Sequence, residues 1–292
     1  MEGWRSSGRP AVIGARLNTL RDSREAILSA LRQAGLAPEP VVWCEAAVTV
    51  PAAQRRALTE SPLVDDGRVY PQNLASMLPP LLLGAAPGME VLDLAAAPGS
   101  KTLQLAAAMD NRGRLAAVER SKPRFHKLRA NCRRAGAECV RFYLRDGTAV
   151  GGATGERFDR VLVDAPCSAE ARISVQDPGS AMDWGERKIR RLAGLQRRLL
   201  ESGFQALRPG GLLVYSTCTF APEENEAVVD ALLRRAGGRA ALLPIELPLD
   251  NLQPGLREWA GTPFAAELAL TRRVLPNAAM EGFYLALLRK TA

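Results

Sequence analysis

With 292 residues, 47% of them hydrophobic and 24% charged, the chain has the size and balance of one large α/β domain plus a small appendage. Its formal charge of +8 comes almost wholly from arginine, since lysine occurs only as Lys101, Lys122, Lys127, Lys188 and Lys290; this suits a polyanionic partner, although a GC-rich coding bias gives the same balance. Cys44, Cys132, Cys139, Cys167 and Cys218 are odd in number and lack CxxC spacing, Met1 to Arg5 begins no apolar signal core, and no apolar run reaches the length of a membrane span; these exclude a disulfide framework, a zinc site and a membrane anchor and imply a cytoplasmic protein with free thiols.

In chain order, residues 1–68 read as a small α/β unit. Val12 to Leu17 forms a strand, and Ser23 to Ala34 a helix with Ile27, Leu28 and Leu31 at helical spacing, stopped by Gly35. Pro38 to Val50 is extended, and Asp65-Asp66-Gly67 closes the unit. Its Arg16, Arg21 and Arg24 are candidates for phosphate contact, with a solvated face as the plainer reading. Residues 71–83 read as an amphipathic helix kinked at Pro79-Pro80. From Met89, strand and helix alternate through residues 69–292, the larger domain. Strands are expected at Glu90–Leu94, Arg114–Glu119, Glu138–Tyr143, Arg160–Asp164, Gly211–Ser216, Ala240–Leu243 and Gly282–Leu288, with helices near 101–109, 121–135, 185–207 and 223–236. The fold class is therefore α/β, a doubly wound, mostly parallel seven-stranded Rossmann-like sheet with the small N-terminal unit attached. Pro244 to Pro276, which carries Trp259 and Phe264, shows no strong helix and is expected to wrap an edge.

The chemistry concentrates at strand ends. Ala95-Ala96-Ala97-Pro98-Gly99-Ser100-Lys101-Thr102 is a small-residue turn leading into a helix, where a ligand can approach the backbone. It fails the nucleotide P-loop pattern, which needs glycine where Ser100 and Ala95 stand, and the G-x-G-x-x-G pattern is absent. Glu119 ends the next strand, in position to accept from a ribose diol, and Asp146 follows the third, in reach of an adenine amino group. A ribose and an adenine without a phosphate loop point to S-adenosylmethionine. Cys167, in Asp164-Ala165-Pro166-Cys167-Ser168, and Cys218, in Tyr215-Ser216-Thr217-Cys218-Thr219, end two further strands. A thiolate adding to carbon 6 of a pyrimidine makes carbon 5 nucleophilic enough to accept a methyl group, and Asp164 beside Cys167 can stabilise the base. On spacing alone either cysteine can be the nucleophile.

The segments 95–102, 164–168 and 216–219, in this order and spacing, resemble the RNA cytosine-5 methyltransferase family. The resemblance extends to Asn18-Thr19-Leu20, Val42-Trp43-Cys44, Gln72 to Leu78 and Glu281-Gly282-Phe283-Tyr284, and so covers most of the chain. It implies that Cys218 attacks the base and Cys167 assists product release, with Asp164 the third catalytic residue. It also implies S-adenosylmethionine contacts from Ala95, Ala96, Ala97, Pro98, Gly99, Ser100, Lys101, Glu119, Asp146 and Asp164, with Lys101 structural or near the active site. DNA cytosine-5 methyltransferases are similar but attack with the Pro-Cys cysteine; the Ser-Thr-Cys-Thr motif favours RNA. Ser100 and Ala169 stand where the family has glycine, and Glu170-Ala171-Arg172 lacks the family's next glycine, so a different loop shape after Cys167 is expected. Arg172 matches the family's loop arginine, while Cys44, Cys132, Cys139 and His126 are expected to be inert.

The target cytidine must be unpaired or flipped out, with phosphates gripped by Arg187 to Arg198 and Arg129 to Arg145 and by the N-terminal unit. The resemblance leans toward the bacterial ribosomal-RNA branch, so a monomer acting on ribosomal RNA in preference to transfer RNA is expected. A DNA methyltransferase and a catalytically silent RNA-binding assembly factor are the alternatives.

Overall fold

A computed structural model describes residues 11–173 and 177–291. The Met1 to Arg5 segment lies outside the described residues. The N-terminal unit comprises β1 (Val12–Leu17), α1 (Arg24–Gln33), β2 (Glu39–Val41), β3 (Cys44–Pro51), α2 (Arg55–Thr59), α3 (Pro62–Asp65) and β4 (Val69–Pro71). Its strands form an antiparallel sheet of order β2-β3-β1-β4. Ser23 caps α1 by accepting the Ala26 N–H at 3.2 Å, and Ile27, Leu28 and Leu31 pack under the sheet against Leu17, Val48 and Leu58. The sheet takes in Pro71, three residues beyond the boundary expected from the Asp-Asp-Gly turn.

The larger domain follows as α4 (Leu78–Leu83), β5 (Glu90–Leu94), α5 (Ser100–Ala108), β6 (Arg114–Glu119), α6 (Lys122–Arg134), β7 (Val140–Leu144), α7 (Val150–Thr154) and β8 (Phe158–Asp164). It continues with α8 (Glu186–Ala206), β9 (Leu207–Thr217), α9 (Glu226–Ala236), β10 (Ala240–Leu242), β11 (Leu252–Pro254), β12 (Glu258–Trp259), β13 (Thr262–Pro263), β14 (Arg272–Val274) and β15 (Phe283–Lys290). Among the described residues these build a nine-stranded sheet of order β11-β14-β15-β9-β8-β5-β6-β7, with β10 beside β15. The pairs from β7 to β9 are parallel; β15, β14, β11 and β10 run antiparallel. One face buries Leu103, Leu105 and Leu128 of α5 and α6; the other buries Leu199, Leu200 and Phe204 of α8 with Val228 and Val229 of α9. Helices on both faces make the sheet doubly wound, and the order reverses between β5 and β8, where such sheets open a crevice at their carboxyl ends.

Several expectations need correction. The sheet has two more strands than expected: β11 and β14 within Pro244 to Pro276 extend its edge, and β12 and β13 form a separate hairpin. Residues 71–83 are not a kinked helix. Pro71 ends β4, and Pro79 and Pro80 lie in the first turn of α4, where a missing N–H costs nothing. Pro38 to Val50 is a hairpin broken at Val42-Trp43. The helix expected from residue 223 begins at Glu226, because the buried Glu224 and Asn225 side chains are committed to the loops beside them. Among the described residues no helix is long and apolar enough to cross a membrane.

Candidate active site

The carboxyl ends of β5, β6, β7, β8 and β9 converge on one region. Beyond β5 the chain turns at Ala95 (φ 62°) and Gly99 (φ 110°), with a cis Ala97-Pro98 bond between them. Any Cβ at Gly99 would press on Leu128 at 3.0 Å. The loop is pinned from α6, as Arg124 donates to the Ala97 carbonyl at 2.5 Å and Asn131 to that of Pro98 at 2.8 Å. Beneath it Thr102 donates to the buried Asp93 at 2.6 Å, and burial pushes the Asp93 carboxyl up to about 7.

A cleft of about 490 Å³ opens above these strand ends. Val118, Pro166, Leu192, Leu195 and Leu199 give it apolar walls; Ala95, Glu119, Asp146 and Gly147 give it backbone and acceptors. Glu119 is 2% exposed; one oxygen accepts the Ser121 N–H at 2.8 Å, while the other has no hydrogen-bond partner among the described residues and only the Arg124 guanidinium at 3.5 Å. A buried acceptor facing a cleft asks for a donor such as a ribose diol. Asp146 accepts the Thr148 N–H and hydroxyl, each at 2.9 Å, and those bonds, the backbone one first, hold its carboxyl below the usual range. Its remaining lone pairs suit an amino group. This donor-seeking, partly apolar cleft therefore fits the adenosyl part of S-adenosylmethionine. Of the residues expected to hold that molecule, Ala95, Glu119 and Asp146 line the cleft. Ala96, Ala97, Pro98, Gly99 and Ser100 form the turn and helix start below it, and Lys101 and Asp164 stand toward the cysteines.

Cys167 and Cys218 end neighbouring parallel strands in the register Asp164↔Ser216, and their sulfurs lie 3.3 Å apart. Asp164 is fixed by Lys101 at 2.6 Å and by the Ser216 hydroxyl at 2.9 Å, and Lys101 also donates to Ser76 at 2.8 Å. The two sulfurs are unequal. The hydrogen bond from Cys167, followed by the charges of Arg172 and Lys101, holds the Cys218 thiol below its ordinary range against the opposing effect of burial. The bond to Cys218, with burial, drives the Cys167 thiol well up. Of the two, Cys218 is therefore the sulfur that gives up its proton more readily. Cys44, Cys132 and Cys139 are buried, and burial pushes Cys132 up to about 12.

A buried polar network, invisible in the sequence, aligns the two cysteine loops. Glu224 accepts the Ser168 N–H at 3.0 Å and Gln196 at 2.6 Å, and Gln196 also donates to the Pro166 carbonyl at 2.8 Å. The Ser168 and Thr219 hydroxyls meet at 2.7 Å. Glu170, 8% exposed, accepts from Thr219 at 2.9 Å, the Phe220 N–H at 3.0 Å and the Trp184 indole at 2.7 Å. Ala169 takes the left-handed conformation (φ 61°) that glycine would adopt freely, so the loop keeps a turn there, and Glu170 rather than a second glycine shapes the next stretch of chain. No residue spacing signals Glu170 or Glu224; acids in a loop read as surface.

Four further arginines, Arg120, Arg145, Arg191 and Arg198, rim the cleft. Of the N-terminal arginines, Arg21 keeps the exposed placement expected while Arg16 does not. Arg16 is buried, donating to Gln72 at 3.2 Å over the Tyr70 ring, and burial lowers it to about 10. Arg21 donates to the Arg133 and Arg134 carbonyls ending α6, and Arg24 to the Glu45 carbonyl at 2.8 Å. His126 is exposed, its ring edge-on to Phe125.

A family profile described as 16S rRNA methyltransferase RsmB/F matches residues 80–289. The chain is 38% identical over 294 residues to Ribosomal RNA small subunit methyltransferase F of Vibrio atlanticus (strain LGP32), covering 98% of this chain and 59% of that protein. It is 37% identical over 293 residues to the tRNA (cytosine(49)-C(5))-methyltransferase of Pyrococcus abyssi (strain GE5 / Orsay), covering 99% of this chain and 91% of that one. The crystal structure of a methyltransferase homolog protein from Pyrococcus horikoshii superposes with a TM-score of 0.81 and 33% identity, over 97% of this chain and 87% of that chain. The chain thus spans less than two thirds of the ribosomal relative and nearly all of the transfer-RNA relative.

Proposed function

The chain belongs to the 16S rRNA methyltransferase RsmB/F family, and from that premise we propose that it methylates carbon 5 of a cytidine in RNA through a covalent bond between Cys218 and the base. The observation that carries this reading is the unequal thiol pair, two sulfurs 3.3 Å apart beside a fixed carboxylate. When bound in the cleft, S-adenosylmethionine supplies an electrophilic methyl group; Glu119 and Asp146 would hold its ribose and adenine.

The Cys218 thiolate adds to carbon 6, forming a C–S bond and moving the ring electrons to carbon 5, which becomes the nucleophile. Asp164, anchored by Lys101 and Ser216, accepts from the exocyclic amino group and so holds the ring in line for attack. After methyl transfer the proton on carbon 5 passes to a solvent base, the C–H electron pair forms the carbon 5–carbon 6 double bond, and the C–S pair leaves on sulfur to restore the Cys218 thiolate. Cys167 stands against the leaving sulfur and serves this release. The arginines at the cleft rim and along α8 supply phosphate contacts.

Small-subunit ribosomal RNA is the first substrate reading, supported by the family profile. Transfer RNA is the second, favoured by the match in length to the archaeal relative. The test uses labelled S-adenosylmethionine with unmodified transcripts of both RNAs. Cys218→Ala is expected to abolish labelling, and Cys167→Ala to accumulate a protein–RNA adduct stable in denaturing gels. An adduct that requires Cys167 and forms on DNA instead would sink the reading.

A further inference from the structure

Beside the thiol pair lies a groove of about 510 Å³ that methyl transfer does not use, lined by Glu170, Trp184, Arg190, Phe220, Glu223 and Trp259 among others. Its two indoles are 51% and 46% exposed, in a protein whose other described Phe, Tyr and Trp side chains are at least partly buried. Each is nonetheless held. Trp184 donates to Glu170 at 2.7 Å and Trp259 to Glu223 at 2.9 Å, so ring faces rather than N–H groups are left for a ligand. Phe220 is anchored against the backbone at Gly282, where an added Cβ would meet its ring at 2.1 Å, and Arg273 donates to its carbonyl at 3.0 Å.

Resting on the RNA methylation reading, we propose that this groove takes an unpaired nucleobase neighbouring the target cytidine, stacked against Trp184 and Trp259. Three observations select that occupant. The groove is continuous with the active site, since Phe220 is two residues beyond Cys218 and Glu170 binds both Trp184 and Thr219. Its carboxylates Glu186 and Glu223 repel phosphate and favour the amino edge of a base, while its one arginine, Arg190, is paired to Glu186 at 2.7 Å. Arginines free for the backbone lie instead at the cofactor cleft, so base and phosphate each have a separate side. Aromatic stacking suits this division because every base presents a π face. A nucleotide flipped into the catalytic site leaves its neighbour unstacked, and the groove replaces the lost stack.

The test measures binding of the full chain to the single-stranded oligoribonucleotide r(C)8 and to an abasic ribose-phosphate 8-mer. Trp184→Leu and Trp259→Leu are expected to weaken r(C)8 binding about 10-fold each, in line with loss of one base stack, and to leave the abasic 8-mer unchanged. Trp184→Phe and Trp259→Phe should recover part of the loss, which separates stacking from misfolding. Equal affinity of wild type and leucine variants for r(C)8, equal weakening on the abasic 8-mer, or saturable binding of a proline-rich peptide in its place would overturn the proposal. Methyl transfer run in parallel tells the two failures apart. Wild-type labelling with unaltered KM in the leucine variants removes the groove proposal alone. Tryptophan-dependent r(C)8 binding without labelling of any RNA removes the reaction alone.

Discussion

At the scale of single residues, the proposed reaction turns on one proton shared unevenly by two sulfurs. Cys218 sits low because Cys167 donates to it and because Arg172 and Lys101 are near; Cys167 sits high for the converse reason. Removing the donor should therefore raise Cys218. In Cys167→Ala the iodoacetamide reaction of Cys218, followed by mass spectrometry, is expected to need a higher pH than in wild type. A profile that stays in place would show that the sulfur contact does not set the acidity. The cysteines themselves were legible from their motif context, but their neighbours were not. Glu170 and Glu224 look like any loop acids in a sequence, and only the folded chain shows them buried and satisfied by N–H, hydroxyl, amide and indole donors. Arg16 misled for the same reason: a lone arginine reads as solvated, yet this one lies between two packed units.

At the scale of elements, the turn from β5 into α5 rests on Asp93, a fully buried carboxyl raised to about 7. Between the unfolded value of 3.8 and about 7 the folded chain retains a proton that the unfolded chain has released. Raising the pH through that window therefore favours unfolding, by at most about 4 kcal/mol at 1.36 kcal/mol per pH unit. Asp93→Asn keeps an acceptor for Thr102 and removes the titration. Urea unfolding at pH 5 and pH 8 is expected to show a large loss for wild type and a small one for the variant; equal losses would refute it. Buried parallel strands such as β5, β6 and β8 were readable within a residue or two of their ends because both faces are covered and their sequences are almost continuously apolar. The three-residue strands β11 and β14 gave no such signal, being too short for any period. Their effect is nonetheless on the site: between them the β12–β13 hairpin carries Trp259 back to the groove.

At the scale of the whole molecule, the N-terminal sheet packs Cys44 and Ala47 into the apolar core of the larger domain and adds polar contacts at the end of α6. Asn18 donates to the Gly67 carbonyl at 2.7 Å and to the Ala135 carbonyl, just past α6, at 2.8 Å. Arg21 adds bonds to the last carbonyls of the same helix. Since α6 also pins the loop at 97–98, a change at this junction bears on the cofactor turn through one rigid element. Asn18→Ala leaves two buried carbonyls without that donor and is expected to cost about 2–3 kcal/mol. Hydrogen exchange should rise at α6 and β4 together; faster exchange in β4 alone would show that the two units are not coupled. The Asn18-Thr19-Leu20 segment was legible as part of a family pattern, but its role in docking the units required a contact 117 residues distant in the chain.

In the proposed reaction, the 3.3 Å contact between the sulfurs also sets the order of events. While Cys218 is a free thiolate, its charge and its bond keep the neighbouring proton on Cys167. Once Cys218 is bonded to carbon it carries no charge and accepts weakly, so the hold on that proton lapses. Cys167 is thus silent before the adduct forms and responsive only afterwards. The pair works as a clock whose second hand is released by the first covalent bond.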